Sequence, residues 1–171
     1  NTYFYKSMWS NEDFAAIWPR HWNWPELEGD DREVRVYTTG DEIALYLNGE
    51  KVGEQKVQPY VRPTFQVPYH AGRLEAVALR SGQEIARDVI ETTGSPNALT
   101  LRATLKAIDA DKKSVFTVWV SAKDAQGRDV RWAADEVSFA IEGDVKVLAS
   151  GNTDQYDDRA PKSMVRRMYN G

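Results

Sequence analysis

Apolar and polar residues alternate in short runs along most of this chain. Ile43, Leu45 and Leu47 share one face at a period of two, and Val34 and Val36 alternate with charged residues. Asn48-Gly49 follows the first of these runs directly. Asn-Gly between apolar runs predicts a tight hairpin, because both residues tolerate positive φ. Val52 to Val57 is then the return strand. Pro59, Pro63 and Pro68 bracket a short extended piece, Thr64 to Val67, predicted to lie at a sheet edge. Leu74 to Leu79 forms a further strand, Ser81-Gly82-Gln83 turns it, and Glu84 to Glu91 returns.

Gly94-Ser95-Pro96 interrupts the alternation and marks a boundary. Beyond it, Leu99, Leu101, Ala103 and Leu105 alternate with Thr100, Arg102, Thr104 and Lys106, the pattern of a half-buried antiparallel strand. Phe116, Val118, Val120 and Ala122 repeat it before a turn at Ala125-Gln126-Gly127. Val137, Phe139 and Ile141 predict another strand and Val145 to Leu148 one more. The prediction is an all-β chain of two consecutive immunoglobulin-like β-sandwich modules, 30–94 and 95–171, preceded by an aromatic, partly helical strap over 1–29. Only about four strands are recognisable before Gly151, against about seven in an immunoglobulin-type sandwich. Residues 152–171 are polar and basic with little alternation. The second module is therefore expected to be incomplete, with an open sheet edge.

The strap carries the most distinctive composition. WPRHWNWP, Trp18 to Pro25, holds three of the six tryptophans, framed by two prolines that discourage helix and central strand alike. Trp is costly to leave in water, so such a segment is expected to lie across another surface. Upstream, Ser10-Asn11-Glu12-Asp13 resembles a capping box, which predicts a helix starting there and running through Phe14-Ala15-Ala16-Ile17 to Pro19. Tyr3, Phe4, Tyr5, Met8 and Trp9 crowd the first nine residues. Chain termini are usually polar and loosely held, so a piece of a longer protein is expected.

Composition narrows the partners. The chain has 171 residues, 42% of them hydrophobic, enough for a real core. A formal charge of -4 argues against a nucleic-acid backbone binder. No apolar run is long enough to span a membrane. There is no cysteine, which excludes disulfides and thiolate metal sites. With only His21 and His70, a histidine-rich zinc site is not expected, and no cofactor is implied.

KSMWSNEDFAAIWPRHWNW followed by VRVYTTGDEIALYLNGEKVG resembles the region after the catalytic barrel of glycoside hydrolase family 2 enzymes, in particular bacterial β-galactosidases with extra C-terminal domains. FQVPYHAGRLEAVALRSGQEIARDVIETTG resembles the second half of the same module. Asn97 to Asn152 is similar to a last immunoglobulin-like domain, and GNTDQYDD resembles a Gly-Asn-Gly-Asp loop with Thr153 in place of the second Gly. The resemblance implies that residues 1–29 are a remnant of the barrel-ending helix plus the Trp-rich strap, and that both catalytic glutamates lie on a barrel outside this sequence. Retaining glycosidases need two carboxyl groups about 5 Å apart. Neither Asn11-Glu12 nor Asp135-Glu136 is read as such a group, and the chain alone is expected to hydrolyse nothing.

Two other clusters carry candidate chemistry. His21, Trp22, Asn23 and Trp24 have side chains suited to stacking on sugar rings and bonding hydroxyls, and equally suited to packing the strap. Asp154, Asp157 and Asp158 are weak candidates for a hard cation, since their spacing does not match a calcium loop. Arg159, Lys162, Arg166 and Arg167 follow as a charge run of the kind that usually forms a solvated face. Three readings stay open. The first is a non-catalytic accessory region of a periplasmic or extracellular bacterial glycosidase, with the missing barrel as partner and oligomer contacts as a further role. The second is a carbohydrate-binding module, and the third an adhesin-like pair of repeats.

Overall fold

The computed structural model describes residues 2–109, 111 and 113–170. The chain divides into two compact units, Asn1–Thr92 and Thr93–Gly171. Nearly all regular structure is β-strand, as the alternation predicts.

The first unit begins with a helix, α1 (Thr2–Trp9), and seven strands follow: β1 (Ala15–Trp18), β2 (Asp31–Thr38), β3 (Glu42–Leu47), β4 (Glu50–Lys56), β5 (Thr64–Pro68), β6 (Arg73–Arg80) and β7 (Gln83–Glu91). They form two antiparallel sheets, a three-stranded one ordered β1-β2-β5 and a four-stranded one ordered β4-β3-β6-β7. This is an immunoglobulin-like sandwich with three strands facing four. Side chains pointing inward from both sheets make one apolar core, including Ile17, Val34, Val36, Phe65 and Val67 from one and Ile43, Leu45, Leu47, Leu74 and Ala76 from the other. The Asn48-Gly49 turn has φ of 52° and 87°, the paired positive values that the hairpin needs. Asn48 also holds the neighbouring loop, its Oδ1 accepting from Arg73 N (2.8 Å) and its Nδ2 donating to the Ala71 carbonyl (3.1 Å). β5 lies at the edge of its sheet, where its flanking prolines lose no ladder bond.

The N-terminal part departs from expectation. α1 ends where the helix was predicted to start, and Phe14 to Ile17 do not form a helix. Ala15–Trp18 pair with Thr38 to Arg35 as an antiparallel edge strand. A strand satisfies this segment better because it is apolar on both faces. Ile17 enters the sandwich core, while Phe14 and Ala16 cluster outside it with Tyr37, under Tyr3 and Phe4 of α1. Ser10 Oγ accepts from Glu12 N (3.1 Å), forming a local turn instead of a cap. The helix is thus a third layer on the outer face of the smaller sheet.

The second unit is sparser. β8 (Ala98–Ala103) pairs with β9 (Val118–Lys123), and β10 (Glu136–Ser138) pairs with β11 (Val165–Arg167). Three expectations change here. β8 is exposed along its whole length, including Leu99 and Leu101, so its apolar face is not half-buried. Val145 to Leu148 form no strand. Residues 165–167, expected to lack strand character, are the partner of β10. The buried cluster consists of the small side chains Ala122, Val130 and Ala133, with Met168 packed against them, which is too little apolar volume to draw β8 or residues 145–148 inward.

Close approach between the sheets depends on Gly53 in β4. A Cβ at that position would lie 2.6 Å from the Phe65 ring of β5. Gly53→Ala is expected to lower the stability of the first unit by roughly 1–3 kcal/mol. Urea unfolding followed by circular dichroism measures it, and an unchanged midpoint would contradict this packing.

Candidate functional site

The strap was the strongest sequence candidate, and the structure divides its residues. Trp22 has 0% of its surface exposed and sits in the sandwich core. Its Nε1 donates to the His70 carbonyl (2.9 Å), and its own carbonyl accepts from Thr92 Oγ1 (2.7 Å). Trp22 therefore offers no face to a sugar or to another domain. The expectation that the strap lies across a surface outside these residues fails for this side chain, because the sandwich itself supplies the surface.

Trp24 is half-buried and already surrounded. It meets Trp22 edge-on at 5.4 Å between ring centroids and Tyr69 edge-on at 5.9 Å. His21 lies 4.6 Å from it, and the Arg32 guanidinium sits over its ring at 4.7 Å. Burial, and then the positive charge of Arg32, lower the His21 pKa below its usual 6.5, so the imidazole is neutral at neutral pH. His21 Nδ1, Arg32 Nε and the Tyr69 hydroxyl are buried with no hydrogen-bond partner among the described residues. Such desolvated atoms reduce what the strap contributes to stability. Asn23 is half-buried beside them. Trp18, at 42% exposure, is the one strap tryptophan that faces solvent.

Sequence reasoning missed what fastens the strap. Asp88 of β7 accepts from Ile17 N (2.7 Å) and forms an ion pair with Arg20. The Trp18-Pro19 peptide bond between these two contacts is cis. At the other end, Gly29 N donates to the Tyr69 carbonyl (2.8 Å) and Tyr69 N to the Asp30 carbonyl (2.9 Å). His70 Nδ1 and Glu28 Oε1 pair at 2.7 Å on the surface. These partners lie far apart in sequence, up to 71 residues for Ile17 and Asp88, so no local pattern announces them.

Of the late acidic cluster, Asp154 and Asp157 are likewise taken up internally, while Asp158 is exposed. Arg166 of β11 is only 5% exposed, not part of a solvated face. Its guanidinium bonds Asp157 Oδ2 (3.0 Å), Ser150 Oγ (3.1 Å) and the Ser150 carbonyl (2.9 Å). Burial opposes ionisation of Asp157, but the Arg159 amide and the Arg166 charge outweigh it and hold its pKa low. Asp154 Oδ1 accepts from Tyr156 N (3.0 Å), closing a turn. Among the described residues, no three His, Asp or Glu side chains come together as metal ligands. The two acids nearest to glycosidase chemistry are exposed: Glu12 pairs with Lys6 (3.0 Å) and Glu136 with Arg159 (2.9 Å). Trp119 is exposed on β9, and Trp132 Nε1 donates to Thr93 Oγ1 (3.0 Å).

Asp124 anchors the second unit. Its buried carboxylate accepts from the amides of Gly94 (3.1 Å), Gln126 (3.0 Å) and Arg128 (2.9 Å), and from Arg128 Nε (2.8 Å). Burial alone raises its pKa, but these bonds prevail and bring it to about 2.

Comparison with known proteins gives these units relatives. Residues 29–86 match a family model described as a domain of unknown function, DUF4982. Residues 99–171 match glycoside hydrolase family 2 C-terminal domain 5. A Formosa agariphila protein, whose name assigns it provisionally to the β-glucuronidases, is 30% identical over 99% of this chain and 17% of its own length. A β-galactosidase of Bacteroides ovatus is 26% identical over 99% of this chain and 20% of its own. The chain thus spans about a fifth of the length of these relatives. A glycosyl hydrolase family 2 member from Bacteroides cellulosilyticus has a similar structure, with a TM-score of 0.91 at 27% identity over 99% of this chain and 26% of its own. No helix among the described residues is long and apolar enough to cross a membrane.

Two outcomes follow from this geometry. Trp22→Ala is expected to destabilise the first unit by about 3–5 kcal/mol, as for other buried aromatics. Trp18→Ala, at an exposed position, is expected to cost about 1 kcal/mol or less. Equal losses in denaturant titrations would contradict the placement of the two rings. The depressed pKa of Asp124 means that the folded state holds fewer protons than the unfolded one. Its stabilisation is complete above the ordinary carboxylate value of 3.8 and is lost as the pH falls toward about 2. Acid titration of the second unit should show a transition in that window. Asp124→Asn should flatten the transition and lower stability at neutral pH.

Proposed function

Since this chain is the C-terminal region of a glycoside hydrolase family 2 enzyme, we propose that it acts as a non-catalytic accessory region of that enzyme. Its work is structural: to support the catalytic barrel, shape the rim of the active site and contribute contacts between subunits. One observation carries the reading. The likeness to glycosidases runs over 99% of this chain but over only 17–20% of two such relatives. The acids closest in type to glycosidase carboxylates, Glu12 and Glu136, are each held in a surface ion pair, with Lys6 and Arg159. The relatives carry both β-galactosidase and β-glucuronidase names, so the proposed parent activity is β-glycoside hydrolysis, with the sugar chosen by the barrel. A periplasmic or extracellular setting in a bacterium goes with that reading.

The accessory reading is favoured over a glycan tether by the fate of the strap. Trp22 is inside the core, and Trp24 is occupied by His21, Arg32 and Tyr69.

The purified chain is expected to release no p-nitrophenol from p-nitrophenyl β-galactoside or β-glucuronide. Deleting these residues from the full-length enzyme is expected to lower its thermal midpoint. Turnover by the chain alone, or an unchanged midpoint, would overturn the reading. Retention of the chain on polysaccharide affinity gels would favour the tether instead.

A further inference from the structure

Independently of the accessory role, we propose that Asn48 is a modification site: its side-chain amide is lost by deamidation when the loop that clasps it opens, and the product loosens the hold on the Trp22 strap. The reactive dipeptide is Asn48-Gly49, at the exposed tip of the β3–β4 hairpin. An Asn side chain is attacked by the backbone nitrogen of the next residue, and Gly, without a Cβ, hinders that approach least. The Gly49 nitrogen gives up its proton and bonds to Cγ of Asn48. The Cγ–Nδ2 bond breaks and Nδ2 leaves as ammonia. Water, the only co-reactant, then opens the five-membered imide at either carbonyl. The product is Asp, or an iso-Asp whose backbone runs through Cγ, and each adds one negative charge.

The fold holds this reaction back. Both polar atoms of the Asn48 amide are bonded to the neighbouring loop: Oδ1 accepts from Arg73 N (2.8 Å) and Nδ2 donates to the Ala71 carbonyl (3.1 Å). Asn48 N also donates to the Arg73 carbonyl (2.8 Å). Gly72 leaves room for the side chain, since a Cβ there would lie 1.9 Å from Asn48 Oδ1. Cγ is free to meet the Gly49 nitrogen only after the two side-chain bonds part. Both bonds are exposed, and exposed bonds open locally at low free energy, without unfolding of the core.

The same loop holds the strap. Gly72 N donates to Thr92 Oγ1 (3.0 Å), and the Gly72 carbonyl accepts from Thr92 N (2.8 Å). Thr92 Oγ1 donates to the Trp22 carbonyl (2.7 Å), and the His70 carbonyl accepts from the Trp22 indole (2.9 Å). An Asp at position 48 keeps an acceptor for Arg73 N but sets a carboxylate oxygen against the Ala71 carbonyl, two acceptors with no proton between them. An iso-Asp inserts an extra backbone carbon between Leu47 and Glu50, which pair directly. Either change is passed through Gly72 and Thr92 to Trp22.

Peptide mapping of the full-length enzyme by mass spectrometry, at mildly alkaline pH, tests the proposal. Asn48 should convert several-fold faster in urea than in buffer. In urea it should match Asn170, which also precedes a Gly. A much slower rate than Asn170 in urea overturns the site, and equal rates for Asn48 in urea and buffer overturn the clasp. Gly72→Ala displaces the Asn48 side chain and should speed conversion in buffer several-fold, whereas Gly53→Ala, which weakens the core at Phe65, should not. Equal acceleration in the two variants, or none in Gly72→Ala, overturns local opening. For the consequence, Asn48→Asp should raise hydrogen exchange at the Thr92 amide and the Trp22 indole several-fold. Unchanged exchange at either overturns the link to the strap.

Discussion

The first unit depends on the enclosure of one indole. Trp22 enters the sandwich from a segment that belongs to neither sheet, and its single polar atom is satisfied by the His70 carbonyl. A large apolar side chain without access to water contributes a few kcal/mol by burial alone. Its position also sets the course of everything nearby. The chain on one side must reach β1, and on the other it must turn at Pro25–Leu27 to begin β2. Tyr69, Trp24 and Arg32 then pack around it in sequence, each resting on the one before. Proline-framed tryptophans look like a surface feature when read as a string. Here the prolines keep the segment irregular so that one ring can turn inward.

The two units reach stability by different physics. The first has a continuous apolar core drawn from six of its seven strands and the strap. The second has a few small buried side chains and depends on charged hubs. Arg166 gathers backbone oxygens of residues 150–160 and the Asp157 carboxylate, while Asp124 gathers amides on either side of its turn and reaches Gly94. Polar hubs specify geometry, but each buried charge carries a desolvation cost that only complete bonding offsets. Large apolar side chains such as Leu101 and Trp119 stay exposed in that unit, since nothing among the described residues covers them.

Much of the first unit was legible in the chain because alternation reports directly on sheets. The hairpin at Asn48-Gly49, the edge position of Thr64 to Pro68 and the β6–β7 pair all follow from period-two patterns and turn residues. The segment from Phe14 to Trp18 was misread because a capping-like Ser10 and two alanines favour helix locally. Tertiary pairing with β2 overrides that preference. In the second unit, alternation predicted strands at residues 145–148 that do not form, because alternation reports what a strand would bury only if a facing sheet exists. The roles of Asp88, Asp124 and Arg166 were invisible, since each depends on partners that only the fold brings within reach.

Asp88 joins the first strand of the sandwich to the last. Its carboxylate receives the Ile17 amide and the Arg20 side chain, and four residues on, Thr92 bonds the Trp22 carbonyl. The polypeptide therefore enters and leaves this sandwich along neighbouring paths. A module whose two ends lie side by side can be spliced into a long chain, or lengthened by a following module, without forcing its neighbours apart. The carboxylate that closes the fold thereby makes the sandwich a portable cassette, suited to enzymes assembled from many successive domains.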